Sequence, residues 1–120
     1  MDIEVKNFYD NDAKNYENSR FTTSIGRYNN NVHKEIVMNV TDSWAGKKVM
    51  DLCCGTGRFS MEIAKHGGIV VSLDFSREML REIADKSRKT SIKNNVHLIQ
   101  ADAQNLMFKD NTFDGCVCVT

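Results

Sequence analysis

The sequence predicts an α/β domain, a doubly wound parallel sheet beneath an N-terminal helical cover. Short apolar runs of strand length start at Val49, Ile69, Val96 and Phe113, and amphipathic segments separate the first three. The first run leads straight into the small turn Gly55-Thr56-Gly57. Strand, helix, strand, helix, strand, link, strand is the order in which crossover helices lay parallel strands side by side. At 120 residues and 41% hydrophobic, the chain has material for one domain with one core.

Residues 1–45 read as the cover and 46–120 as the sheet-bearing core of that single domain. From Asn7 to Ser24 the chain is polar, with Phe8, Tyr9, Tyr16 and Phe21 as its main apolar bodies. Ile25, Tyr28, Val32, Ile36 and Val40 then recur at three and four residues, one face of an amphipathic helix. Two helices laid over the core are the expectation. The first strand is expected from Val49 to Cys53, followed by a helix from Phe59 to His66 that stops at Gly67-Gly68. Ile69 to Leu73 is the second strand, closed by Asp74. Ser76 can cap the next helix, with Met79, Leu80, Ile83 and Ala84 inside and Arg77, Arg81, Lys86, Arg88 and Lys89 outside. Val96 to Ala101 and Phe113 to Val119 complete the strands.

Composition excludes several classes. Sixteen basic and sixteen acidic side chains balance, so no overall positive field favours nucleic acid as a partner. The cations from Arg77 to Lys93 are interspersed with Glu78, Glu82 and Asp85, the pattern of a solvated helix face. Cys53-Cys54 and Cys116-x-Cys118 lie inside apolar runs and lack zinc-ligand spacing, so they read as reduced, buried thiols and no metal is expected. The N-terminus lacks a signal peptide's basic start and apolar run, and no apolar stretch reaches the ~20 residues of a membrane span. No membrane association is expected, and the cytoplasm is the expected compartment.

In open parallel sheets, ligands bind beyond the carboxyl ends of the strands. Three features fall there. Gly55 and Gly57 let backbone amides approach a ligand where a helix begins. Asp74, after the second strand, can accept from two vicinal ribose hydroxyls. Asp102-Ala103, after the third, can read an exocyclic amine and a ring edge. Singly these are a tight connection, a helix-capping carboxylate and a turn. In order at successive strand ends, they compose a nucleoside site.

With these motifs the sequence resembles the class I S-adenosylmethionine-dependent methyltransferases, particularly the small-molecule branch, from about Tyr9 to Thr120. Val49-Met50-Asp51-Leu52-Cys53-Cys54-Gly55-Thr56-Gly57 is similar to the first family motif, with Cys53 where the first of three alternating glycines usually stands. Val71-Ser72-Leu73-Asp74-Phe75-Ser76 with Met79-Leu80 resembles the second, and Gln100-Ala101-Asp102-Ala103 through Phe108 the third. Phe113-Asp114-Gly115-Cys116-Val117-Cys118 resembles the fourth strand. The resemblance implies a Rossmann-like fold, S-adenosylmethionine as cofactor with S-adenosylhomocysteine as product, and a small-molecule methyl acceptor. It places Gly55 and Gly57 against the methionine and ribose part. Asp51 would organise the loop and meet the methionine amino group directly or through water. Asp74 falls on the ribose hydroxyls, Phe75 and Met79 on adenine, and Asp102 with the Ala103 amide on the adenine edge. Backbone around Val119 and Thr120 would lie below the sulfonium, with Tyr9 or Tyr16 and Arg20 closing the pocket.

No catalytic base stands out, because His33, His66 and His97 sit in helical or strand patterns. A nicotinamide dehydrogenase shares the first strand, turn and acidic residue. It would want a third glycine where Ser60 stands, and it leaves Asp102-Ala103 unexplained. The Asn-Pro-Pro-Tyr type motif of many nitrogen methyltransferases is replaced by Cys118-Val119-Thr120 in a chain without proline. The family fold has seven strands, so the sheet is expected to stop short at its fourth, with Gly115 to Val119 as an exposed apolar edge. The expectation is an N-terminal portion of a longer enzyme or a homodimer through that edge. A non-catalytic cofactor-binding remnant is the alternative.

Overall fold

The structure is a computed structural model and describes residues 2–119. Helix α1 (Ile3–Asp12) starts where the Asp2 side chain accepts from the Glu4 and Val5 amides. One 3-10 turn, Ala13–Asn15, leads into α2 (Tyr16–Phe21). Thr23 accepts from the Gly26 amide and caps α3 (Ser24–Met38). Then follow β1 (Lys48–Leu52), α4 (Arg58–Lys65), β2 (Ile69–Asp74), α5 (Arg77–Arg88), β3 (Val96–Gln100) and β4 (Gly115–Val117). The described strands form a four-stranded sheet in the order β3-β2-β1-β4, every neighbouring pair parallel. Asp51 lies opposite Ser72 on one side and Val117 on the other, and Asp74 opposite Gln100.

The core sits between the sheet and the helices. Val49, Val70 and Val96 meet Phe59, Ile63 and Ala64 of α4 and Leu80 and Ile83 of α5, with Trp44 closing one end. The Trp44 indole N–H donates to the Met38 carbonyl at 3.2 Å, so this large ring is buried without an orphaned donor. Ser76 caps α5 as the sequence predicts, accepting from the Met79 amide at 3.2 Å.

Several local expectations are revised. Most of the apolar stripe of α3 faces outward: Ile25 is 75% exposed and Tyr28 and Ile36 are exposed as well, as is Val40 beyond the helix, while Val32 is half-buried. The body instead receives Gly26, which packs against the Arg20 carbonyl, Asn30, which accepts from Arg58, Lys34, which pairs with Glu62, and Val37 and Met38. Polar docking partners decided the rotation of this helix. On α5, Lys86 lies inward, against Glu17 of the cover. Strand β4 starts at Gly115 rather than Phe113, where the Asp114 carboxylate takes the Lys48 amide at 2.8 Å, and it ends at Val117. Cys116 and Cys118 are exposed, since strand alternation turns Val117 and Val119 toward the core and these two thiols away. Cys54 is buried as expected, and Cys53 half-buried.

Gly57 opens α4 at φ 81, and a Cβ there would lie 2.6 Å from Ile83 Cγ1. Gly57→Ala combines backbone strain with a clash in the α4–α5 contact. It should destabilise the fold by about 1–3 kcal/mol in urea unfolding, with an unchanged denaturant slope.

Candidate functional site

The chain builds outward from β1 through β2 to β3, then returns across β1 to place β4 on its other side. That reversal opens a crevice at the carboxyl ends of β1 and β4, the place where such sheets bind ligands. The connection from β1 to α4 forms its floor. Cys53, Gly55 and Gly57 carry φ values of 55, 57 and 81, a run of left-handed residues that turns strand into helix within a few steps. The Cys54 amide donates to the Leu73 carbonyl and the Gly57 amide to the Cys54 carbonyl, both at 3.0 Å.

Two carboxylates hold this loop. Asp74 Oδ2 accepts from the Gly55 amide and Oδ1 from the Ser76 amide, each at 2.9 Å. Asp51 lies beneath, 1% exposed, and its Oδ2 accepts from the Ser60 hydroxyl at 2.6 Å and the Ser60 amide at 3.1 Å. The Ser60 hydroxyl also meets that of Ser72 at 2.6 Å, so a buried polar chain joins β1, α4 and β2. Burial pushes the Asp51 carboxyl up to about 6. The Ser60 bonds oppose that rise, and the nearby charge of Asp74 adds to it.

The cover docks onto this floor through two further acids. Glu17 Oε1 accepts from the buried Thr56 hydroxyl at 2.8 Å and from Lys86 Nζ at 2.7 Å. Burial resists charging Glu17, but Lys86 and the Thr56 hydroxyl outweigh it and hold the carboxyl below its usual range. Asp10 Oδ1 accepts from the Ser76 hydroxyl at 2.5 Å and the Glu78 amide at 3.3 Å, at the start of α5. Arg20 stacks 4.1 Å over the Tyr16 ring and pairs with Asp12 at 2.7 Å.

Between cover and floor lies a cavity of about 250 Å³, lined by Val5, Tyr9, Tyr16, Cys53, Gly55, Asp74, Met79 and Val119. Tyr16, Cys53, Gly55, Asp74, Met79 and Val119 are thus brought together, with Tyr9 beside them. Asp51 and Gly57 sit below the wall as supports. Phe75 is half-buried, and its carbonyl accepts from Gln100 Nε2 at 3.1 Å. Asp102 and Ala103 stand outside the lining, where Asp102 Oδ1 accepts from the Gln104 amide at 2.9 Å. Thr120 lies outside the described residues. A second cavity, about 230 Å³, is polar and lined by α2, α3, α4 and α5 rather than by strand ends.

Val5, Asp10, Glu17, Thr56, Ser60 and Ser72 were not singled out by sequence reasoning. A serine inside the apolar run Val70 to Leu73 was the available signal, since a hydroxyl there must find a partner. The contacts of Glu17 cross 39 and 69 residues of chain and had no local signal.

Comparison with known proteins agrees with this architecture. A family model described as "Methyltransferase domain" matches residues 49–120. The chain belongs to this methyltransferase family, and its sheet and motifs are those of the class I, S-adenosylmethionine-dependent branch. It is 35% identical over 114 residues to a demethylmenaquinone methyltransferase of Staphylococcus haemolyticus, covering 92% of this chain and 46% of the relative. It is 36% identical over 119 residues to the ubiquinone/menaquinone biosynthesis C-methyltransferase UbiE of Blochmanniella floridana, covering 97% and 46%. The chain therefore spans about half the length of these relatives. The magnesium protoporphyrin IX methyltransferase of Synechocystis PCC 6803, solved with bound S-adenosylmethionine, shares the fold with a TM-score of 0.76. It is 20% identical, with 98% of this chain and 62% of that one covered.

The raised Asp51 carboxyl gives a pH signature. Between 3.8 and about 6 the folded chain holds a proton that the unfolded chain has released. This stabilisation is complete below the unfolded value and is lost as pH rises through about 6. Measured as wild type minus Asp51→Asn, unfolding free energy should fall by on the order of 3 kcal/mol from pH 3.5 to pH 7. Parallel pH profiles of the two proteins would refute the assignment.

Proposed function

We propose that the chain binds S-adenosylmethionine in the cavity at the ends of β1, β2 and β4. It would supply the cofactor-binding half, with residues 1–45 as cover, of an enzyme that methylates a ring carbon of a small quinone-type acceptor. The observation that carries the reading is Asp74. Each of its oxygens accepts one backbone amide, which leaves each with capacity for one more bond. Two such acceptors at the rim of a mostly apolar cavity suit a vicinal diol. Gly55 supports the fit, because a Cβ built on it meets nothing within 4 Å and would project into open space that a ligand can fill. The acceptor class rests on the likeness to the two quinone-pathway methyltransferases.

When bound, the cofactor supplies a methyl carbon already activated by its positive sulfur. The chain's residues then act by orientation and exclusion of water. Asp74 orients the ribose, and Gly55 brings backbone close to the methionine portion. Asp51 and Gly57 keep the loop in place from below. Met79 would provide apolar contact for adenine, whereas Phe75, Asp102 and the Ala103 amide stand outside the lining and would meet the ring only beyond the cavity's edge. Tyr9, Tyr16 and Val5 close the cavity from the cover, and Val119 bounds it on the β4 side. Among the described residues none of the three histidines lines the cavity, so no base is assigned.

Titration calorimetry with S-adenosylhomocysteine tests the site. Asp74→Ala removes charge-assisted bonds of about 1.5–3 kcal/mol each. Affinity should fall about ten-fold to more than a hundred-fold. Equal affinity would remove the ribose role.

The cytoplasm is proposed as the compartment; among the described residues no helix is long and apolar enough to cross a membrane. A second copy of the chain is proposed to pair along the outer edge of β4, where Gly115 and Cys116 are exposed. Light scattering of the pure chain should then report a dimer, and a stable monomer would overturn the pairing.

A further inference from the structure

Cys53 keeps a glycine-like backbone, at φ 55, in the position where the resemblance puts a glycine. A side chain is held there against the local conformational preference, and such outliers gather at functional sites. The thiol is half-buried and lines the cavity. A second cysteine approaches from the neighbouring strand. With Asp51 opposite Val117, the register carries Cys118 beside Leu52, one position short of Cys53 across the strands. Adjacent strands lie about 4.8 Å apart. A pair offset by one residue, ~3.3 Å along the strand, is then about 5.8 Å apart, within the ~4.4–6.8 Å between Cα atoms that a disulfide bridges. Burial and then the neighbouring Cys118 side chain raise the Cys53 thiol. Cys118 itself is exposed. Cys54 is different: buried, with its Sγ turned to the Gly55 carbonyl at 3.7 Å, and pushed far up by burial.

We propose that Cys53 and Cys118 are a redox modification site, a dithiol at the floor of the cavity that peroxide converts to a disulfide and thiol reductants restore. Hydrogen peroxide oxidises the exposed Cys118 thiol to the sulfenic acid, and one oxygen leaves as water. The Cys53 sulfur then attacks the Cys118 sulfur, the S–O bond breaks, and the departing hydroxide takes the Cys53 proton as a second water. Two thiols give up two electrons, and the peroxide is reduced. The reduced pair, the state a glutathione-buffered compartment maintains, leaves the cavity open. The disulfide ties the end of β1 to the segment beyond β4 and draws Cys53 and the neighbouring Val119 together across the floor. Its effect on ligand binding rests on the cofactor reading above, whereas the cross-link does not.

The test has two readouts. The chain is treated with hydrogen peroxide, capped with an alkylating reagent and digested with trypsin. Segments 49–58 and 110–120 should appear joined and two hydrogens lighter than their sum. Each segment holds two cysteines, so Cys53→Ser and Cys118→Ser should each abolish the link, and Cys54→Ser and Cys116→Ser should keep it. No link, or a link that survives Cys118→Ser, overturns the proposal. In parallel, calorimetry with S-adenosylhomocysteine should show at least about ten-fold weaker binding after oxidation, restored by dithiothreitol. In Cys118→Ser the affinity should be the same before and after peroxide. A Cys53–Cys118 link with unchanged affinity overturns the switch, while absence of binding in the reduced wild type overturns the cofactor reading and leaves the link to be judged by mass.

Discussion

A carboxylate buried in the central strand governs the rest of the structure. Asp51 takes both the amide and the hydroxyl of Ser60 at the first turn of α4, and the Ser60 oxygen in turn accepts from the Ser72 hydroxyl of β2. The connection between β1 and α4 is thereby tied to the strand before it and the strand beside it. From the opposite side Asp74 accepts the Gly55 amide, so the loop is clamped between two carboxylates. A loop of left-handed residues has little of its own to hold it, and its amides reach a ligand only if the backbone is fixed beforehand. The cost is visible in Asp51, whose charge is opposed by burial and by the neighbouring Asp74.

The cover is attached by polar contacts as well as by apolar ones such as Val37 and Met38. Asp10 meets the start of α5, and Glu17 meets Thr56 in the floor and Lys86 on α5. Side-chain pairs near the surface contribute little individually, about 0–1 kcal/mol. Because these contacts set the orientation of the cover, Tyr9 and Tyr16 look into the cavity while much of the apolar stripe of α3 looks out.

The order and type of the sheet elements were legible because each follows from local pattern: apolar runs at Val49, Ile69 and Val96, a glycine turn after the first, and Ser76 before an amphipathic repeat. Gly55, Asp74 and Met79 were legible for the same reason, since position at a strand end or on an inner helix face is a local property. Cys53 was noticed only as a substitution, and its pairing with a cysteine 65 positions away required the register of β1 and β4. The exposure of Cys116 and Cys118 was misread because an apolar run does not tell which of its alternating faces is covered.

The sequence by itself determined that this chain makes a parallel α/β sheet and that Gly55, Asp74 and Met79 gather at its strand ends. Hydrophobic period, turn chemistry and capping are short-range and are written in consecutive residues. Only the tertiary structure decided that Asp51 and Gly57 act from beneath the cavity, that Asp102 and Ala103 stand outside its lining, and that Glu17 fastens the cover. It also decided which face of α3 turns inward, toward Arg58 and Glu62. These are contacts between residues tens of positions apart. Their partners are chosen by the packing of whole elements, which no local window of sequence contains.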